Sequence, residues 1–337
     1  MKKLNLENAS YRYLEQSFRE WLDVLGYAPT TVYNMPNLIR ELFYYLETRG
    51  VSQIKELEVQ HIENYYQTLK ERSNQRRGGG LSNAHLNKHI QALRKFTSYL
   101  RKVGRLQIPQ IKLTNEETET RIIYLTKEEI RELFTATEKA TSEKNKPQEI
   151  VTAIQSRDRA MLAIFYGCGL RRNEGVMLDV GDINFDRSVL HVRKGKNLKE
   201  RFVPISKTNL NYLTEYIYDH RPELTKGSKV EALFIAYTGT RRMQGQSLMI
   251  RLRMLQYHTE NIELQEKEVG LHTLRHSIAT HFLQAGMKME SISRFLGHSS
   301  LESTQIYTHL SGIPIERVQP FNNIPKYETG QLSEDER

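Results

Sequence analysis

The 337-residue chain has one cysteine, Cys168. A lone thiol excludes an intramolecular disulfide and suits a reducing cytosol. Long apolar runs are missing too: none approaches the ~20 residues that a bilayer-spanning helix requires. The N-terminus lacks the apolar stretch of a secretory signal. These absences point to a cytoplasmic protein with no membrane partner. Metal-ligand spacing is equally poor. His272 and His276 stand four apart, but the glutamate of a zinc-type HExxH motif is absent and no cysteine cluster lies near. No metal or other cofactor is expected.

Positive charge is what the chain has in excess. It carries 49 Lys+Arg against 40 Asp+Glu, a formal +9, which favours a polyanionic partner. Residues 1–110 hold 17 basic and 10 acidic side chains, residues 111–315 hold 29 and 25, and the remainder holds 3 and 5. The N-terminal third is therefore the most basic part. At this length, with 38% hydrophobic and 26% charged residues, two soluble domains can each bury a core.

In the first 110 residues the apolar spacing is helical. Tyr13, Leu14, Phe18, Trp21, Leu22 and Leu25 form a stripe that stops before Gly26. A second helix is predicted from about Thr30 to Glu47, with Pro36 either delaying its start or bending it. A third is predicted over Glu58–Glu71. The fourth opens on Ser82 as N-cap and carries Leu86, Ile90, Leu93 and Leu100 on one face. Its other face presents His85, Lys88, His89, Arg94, Lys95 and Lys102, and a basic glycine loop with Arg76 and Arg77 precedes it. Residues 107–120 are polar, contain Pro109 and read as a linker.

Beyond it, Thr126 and Glu129 form a capping box for a helix to about Ala140. A surface loop is expected over 141–148, and Ser156 is expected to cap the next helix, which ends at Gly167-Cys168-Gly169. Ile183 to Ile205 reads as strands around a basic, glycine-containing turn, 193–201, a hairpin signal. Helices follow over Leu210–Tyr218 and Ser247–Tyr257, with a short extended run at 233–235 between them.

The densest chemistry lies between Gly270 and Leu310. His272 and Arg275 are three apart and share a helix face. His298 follows a glycine, and Tyr307 lies nine residues further on. A phenol with a pKa near ~10 needs cationic company to act as a nucleophile at neutral pH, and arginine offers a donor fork suited to phosphate. Two more helices are expected here, one from about Leu274 to Ala285 and one from Glu290 to Phe295, stopped by Gly286 and Gly297. The local reading is phosphoryl transfer with Tyr307 as the attacking group.

The order HTLRH, LGHSS, IYTH resembles the C-terminal signature of the tyrosine recombinases, the phage integrase family, in its Xer/integrase-like branch. Leu170-Arg171-Arg172-Asn173-Glu174 resembles the family's first arginine box. The match places the catalytic arginine at Arg171, with Glu174 as supporting acid and Arg172 as the local competitor. Matching Lys199-Glu200-Arg201 to the family's Lys-x-Arg places the catalytic lysine at Lys196, with Lys194 the alternative if the turn shifts by two. One departure is Leu271, where many members have proline before the histidine.

The resemblance implies a mostly α fold with a small antiparallel β-sheet. It would comprise a helical core-binding (SAM-like) domain over 1–106, a linker over 107–120, an α+β catalytic domain over 121–315, and a tail over 316–337 that docks on a neighbouring protomer. The implied activity is site-specific DNA recombination through a 3′-phosphotyrosyl intermediate, without metal or ATP. The implied catalytic set is Arg171, Lys196, His272, Arg275, His298 and Tyr307. DNA-contact candidates are Arg76, Arg77, Lys88, Arg94, Lys95, Arg172, Lys194, Lys199, Arg251 and Arg253. Implied partners are double-stranded DNA bearing specific sites and three further copies in a tetrameric synapse, with room for accessory DNA-bending proteins. The lack of an extra N-terminal arm-binding domain favours a simple recombinase. Type IB topoisomerase chemistry and a non-catalytic DNA-binding role are the alternatives.

Overall fold

The computed structural model describes residues 4–74, 78–103, 112–118, 122–139, 147–193, 200–236, 239, 241–298 and 304. The chain divides into two compact units at 120/121. Among the described residues no helix is long and apolar enough to cross a membrane.

Among the described residues, four α-helices build the first unit: α1 (Ala9–Val24), α2 (Pro29–Thr48), α3 (Val59–Glu71) and α4 (Asn83–Lys102). Asn8 starts α1 by accepting the amide of Ser10 at 2.8 Å, and Ser82 starts α4 by accepting that of His85 at 3.3 Å. An aromatic chain fills the centre. Tyr11 stacks on Phe43 at 4.7 Å, and Phe96 meets both Phe43 and Phe18 edge-on at 5.4 and 5.3 Å. Tyr13 and Leu25, expected in the α1 stripe, are exposed; Tyr11 takes the inward place.

Pro36 neither delays nor ends α2. The helix begins at Pro29, a favoured first-turn position. Pro36 has no N–H to offer the carbonyl four residues back, that of Val32, and the Arg19 guanidinium donates to it instead at 3.2 Å.

Residues 112–118, within the expected linker, run as a strap along α4. Asn83 donates to the Glu117 carbonyl (2.7 Å) and Arg94 to that of Leu113 (2.5 Å). Asn87 exchanges hydrogen bonds of 2.9 and 2.7 Å with the backbone of Glu116. The Glu116 carboxylate accepts from Tyr66 and pairs with Lys70. His89, expected on the polar face, is buried instead, with Nδ1 3.2 Å from the Tyr65 hydroxyl. Burial pushes its pKa down to about 3, so it stays neutral.

The second unit opens with α5 (Lys127–Lys139), whose capping box forms as read: the Thr126 amide donates to Glu129 at 2.8 Å, and the Glu129 amide to the Thr126 hydroxyl at 3.2 Å. The helix α6 (Gln148–Leu162) corrects the expectation for Ser156, which is fully buried in mid-helix. The helix starts nine residues earlier because Ile150, Ala153 and Ile154 already supply an inward face within a polar-looking segment. A π-turn over Ala163–Gly167 follows, and then α7 (Arg172–Val176).

Three antiparallel strands, β1 (Ile183–Asn184), β2 (Val189–Val192) and β3 (Arg201–Pro204), are ordered β1-β2-β3. Leu190 faces Val203, His191 faces Phe202, and Val192 faces Arg201. Leu190, Val192 and Val203 enter the core, while His191 stacks on exposed Phe202 at 4.8 Å on the outer face. Short helices α8 (Lys207–Thr214) and α9 (Arg221–Thr225) flank a second π-turn. Residues 232–235 are buried, with isolated bridges to 179 and 242. Then come α10 (Gly245–Tyr257), α11 (Ile262–Glu266), α12 (Leu271–Gln284) and α13 (Met289–Leu296).

Phe96→Ala opens a void among α1, α2 and α4. We expect it to destabilise the first unit by about 3–5 kcal/mol, read as a lowered urea midpoint in that unit's transition.

Candidate active site

The tight turn before α7 places the first arginine. Gly169 adopts φ +61°, and an added Cβ there would lie 3.0 Å from both Leu296 and Phe295. Only glycine lets this turn close onto α12 and α13. Arg171 then caps α7, with its own amide donating to the Glu174 carboxylate at 2.9 Å. Cys168 beside it is fully buried, and burial pushes its thiol up to about 12, which leaves it unreactive.

Glu174 is 5% exposed and collects positive groups from distant parts of the chain. Arg171 Nη1 donates to Oε1 at 2.8 Å. Arg201, the first residue of β3, donates to both oxygens, at 3.1 and 2.9 Å. Arg275 Nη1, from α12, lies 3.9 Å from Oε2. Burial alone would raise the carboxyl pKa. The hydrogen bonds and charge of Arg201, followed by the bonds from Arg171, overcome it and hold Glu174 at about 2.

The same three arginines meet the C-terminus of α13. Arg201 Nε donates to the Phe295 carbonyl (3.3 Å), Arg275 Nη2 to that of Leu296 (2.7 Å), and Arg171 Nη2 to that of Gly297 (3.1 Å). These are last-turn carbonyls left without helical partners, at the negative end of the helix dipole. Arg275 Nη1 also takes the Gly169 carbonyl at 2.6 Å. Gly297 ends the helix at φ +64°.

Two imidazoles complete the described site. His298 follows Gly297, and its Nδ1 lies 2.7 Å from the Thr304 hydroxyl. Burial, then the charges of Arg275, Arg171 and Arg201, push its pKa down to about 3. A neutral ring still offers one N–H donor. His272 sits in the first turn of α12. Lost hydration and the charges of Arg275, Arg172 and Arg171 lower its pKa. A neutral His272 can accept a proton. His276, read above only as a rejected zinc ligand, is half-buried one turn further on. Burial, His272 and Arg275 bring its pKa down to about 4.

Arg171, Arg275, His298 and Glu174 are thus assembled around one point, with His272 on the same helix as Arg275. Tyr307, Lys196, Lys194, Lys199, Arg76 and Arg77 lie outside the described residues. Arg172 is exposed and its side chain lies across Gly245 at the start of α10. Lys88, Arg94 and Lys95 line a groove of about 500 Å3 with Asn87, Gln91 and Asn115 in the first unit. Arg253 is exposed on α10. Arg251 is placed differently from expectation. Its guanidinium turns inward and donates to buried Asp158 at 3.0 and 2.5 Å, so it braces α10 against α6. Sequence reasoning gave Arg201 no role; the available signal was its place in Lys-x-Arg at the start of a strand.

Among the described residues, a buried carboxylate is outnumbered by guanidinium groups on a mostly helical scaffold with a small antiparallel sheet. The phage integrase family matches residues 123–312. Tyrosine recombinase XerC of Pelotomaculum thermopropionicum is 32% identical over 245 residues, 71% of this chain and 74% of that protein. Tyrosine recombinase XerD of Staphylococcus epidermidis is 40% identical over 166 residues, 48% of this chain and 53% of that protein. The XerD match therefore spans about half the length of that relative. The fold is also similar to that of XerH site-specific recombinase in a post-cleavage complex with palindromic difH substrate. Its TM-score is 0.65 at 21% identity, over 90% of this chain and 82% of that one. For lambda integrase (75–356), a dimer bound to a COC′ core site, the values are 0.61 and 13%, over 93% and 98%. The chain belongs to the phage integrase family, the tyrosine recombinases.

A pH dependence follows from the depressed histidines. Unfolded, His276 and His298 take a proton near pH ~6.5; folded, they resist until far lower. The unfolded state then binds more protons, so stability is full above ~6.5 and falls as the pH drops. Thermal midpoints measured from pH 7.5 to 5 should decline, and His298→Gln should flatten the decline.

Proposed function

We propose that this tyrosine recombinase is a site-specific DNA recombinase that cuts and rejoins strands through a 3′-phosphotyrosyl intermediate formed on Tyr307. The supporting observation is the charge balance around Glu174. Three guanidinium groups share one buried carboxylate and one helix end, and the surplus positive charge favours an added anion such as a phosphodiester. A second anion at that place gains from oriented donors that need no reorganisation.

In this reading the Tyr307 oxygen attacks phosphorus, forms the phosphotyrosyl bond and releases a 5′-hydroxyl. A 5′-hydroxyl from another strand reverses the step, and the covalent link conserves the bond energy. Arg171, Arg275 and the N–H of neutral His298 serve the nonbridging oxygens. His272 accepts the phenolic proton, and Lys196 protonates the leaving oxygen. Glu174 orients the arginines. The first unit, as core-binding domain, supplies phosphate contacts from the Lys88–Arg94–Lys95 groove. Four protomers would assemble on two duplexes, with the tail beyond 316 docking on a neighbour.

Tyr307→Phe should keep DNA binding and lose every covalent adduct, read as protein–DNA species that survive denaturing gels. An adduct persisting in that variant overturns the nucleophile assignment. Relaxation of any supercoiled plasmid without paired sites would instead mark a type IB topoisomerase. Lys88→Ala should weaken binding across all sequences and reduce the salt slope of log K by about 1, the value for one lost phosphate contact.

A further inference from the structure

We propose that Arg201 is a positioning residue for the phosphate-binding group: it occupies one side of the Glu174 carboxylate and steadies the end of α13, so that Arg171, Arg275 and His298 face the substrate. The assignment rests on the recombinase reading, and it gives a role to an arginine that the catalytic set leaves out.

The first ground is valence. A carboxylate has about four lone-pair directions. At Glu174 they are taken by the Arg171 amide, Arg171 Nη1 and both Nη atoms of Arg201. Two of the four therefore belong to Arg201. Without it, two acceptor directions of a buried anion lie open within reach of Arg275, whose Nη1 is already 3.9 Å away. The carboxylate would turn toward the groups meant for phosphate and compete with the substrate for them. Arg201 holds Glu174 as a brace and keeps it from becoming a rival ligand.

The second ground is the helix end. Arg201 Nε donates to the Phe295 carbonyl, while Arg275 and Arg171 take the next two carbonyls in turn. Arg201 also lies directly on Gly297, where an added Cβ would stand 2.8 Å from its Cδ and 2.9 Å from its Nε. Its side chain thus covers the turn that delivers His298. The third ground is rigidity. Arg201 is paired with Val192 in the β2–β3 ladder and its side chain is 11% exposed, so its own position is fixed by the sheet.

Lysine cannot reproduce the function. A single ammonium supplies charge but not the two parallel bonds of a planar fork. Methionine keeps much of the volume and supplies neither.

The test uses the full chain and a library of nicked DNA duplexes as covalent-capture probe. Arg201→Met should lower the capture rate about 100-fold, the scale of a small misplacement of reacting groups, with duplex binding within about 3-fold of wild type. Arg201→Lys should recover only part of the rate. In a Glu174→Gln background, Arg201→Met should cost clearly less than in the wild-type background, because the part of its effect that runs through the carboxylate is already lost. Capture at the wild-type rate by Arg201→Met, or losses that multiply in the double variant, would overturn the proposal.

A second readout needs no reaction. In protein labelled with 15N-histidine, Arg201→Met should raise the His298 titration midpoint, while Arg201→Lys, which keeps the charge, should alter the ring environment with a smaller change in midpoint. An unchanged His298 spectrum in both variants would overturn the proposal. If the wild-type protein captures no duplex at all, the recombinase reading fails while the titration still decides whether Arg201 positions His298. If Arg201→Met does not fold, Arg201→Lys decides by the same two readouts.

Discussion

The site depends on one electrostatic constraint: three guanidinium groups, drawn from positions 171, 201 and 275, must be held together against their mutual repulsion. Two negative poles accomplish this. One is the ionised carboxylate of Glu174, and the other is the row of carbonyls that ends α13. Like charges at such separations would disperse in water, but a buried anion and a helix terminus act in a medium where each bond is strong. The poles are sufficient to gather the cations and insufficient to neutralise them. That imbalance leaves the place with positive charge to spare. His298 and His276 remain neutral because burial disfavours their charged forms and the neighbouring positive charge adds to that effect.

The rest of the second unit serves this arrangement. The positive-φ turn at Gly169 lets the start of α7 approach α12 and α13. The three-stranded sheet fixes the backbone of Arg201. Arg251, by contrast, invests its fork in Asp158 and braces α10 on α6. Similar side chains thus divide between building the frame and furnishing the site, and burial of the partner carboxylate is common to both.

Much of this was legible in the residues. Ser82, Thr126 and Glu129 signalled their helices because capping is local chemistry, decided within four residues. The order of Arg171, Arg275 and His298 located the site because a family resemblance encodes spacing that physics alone would leave open. What stayed hidden was decided by tertiary contacts. Ser156 looked like a cap but lies inside α6, because a polar segment conceals Ile150, Ala153 and Ile154 on one face. His89 looked like part of a basic surface but faces inward toward Tyr65. Pro36 looked set to delay or bend its helix, yet Arg19 of another helix takes the carbonyl that proline cannot satisfy. Arg201 showed no purpose in sequence because its partners lie 27 and 94 residues away.

The acceptors at the end of α13 belong to the main chain, and this has an effect on how the segment tolerates change. Substituting the side chain at 295 or 296 leaves the oxygen in place, so those positions answer to the volume of the apolar core around them. Position 297 answers to the opposite requirement, since any side chain there would collide with Arg201. Recognition is thus written into backbone direction rather than residue identity.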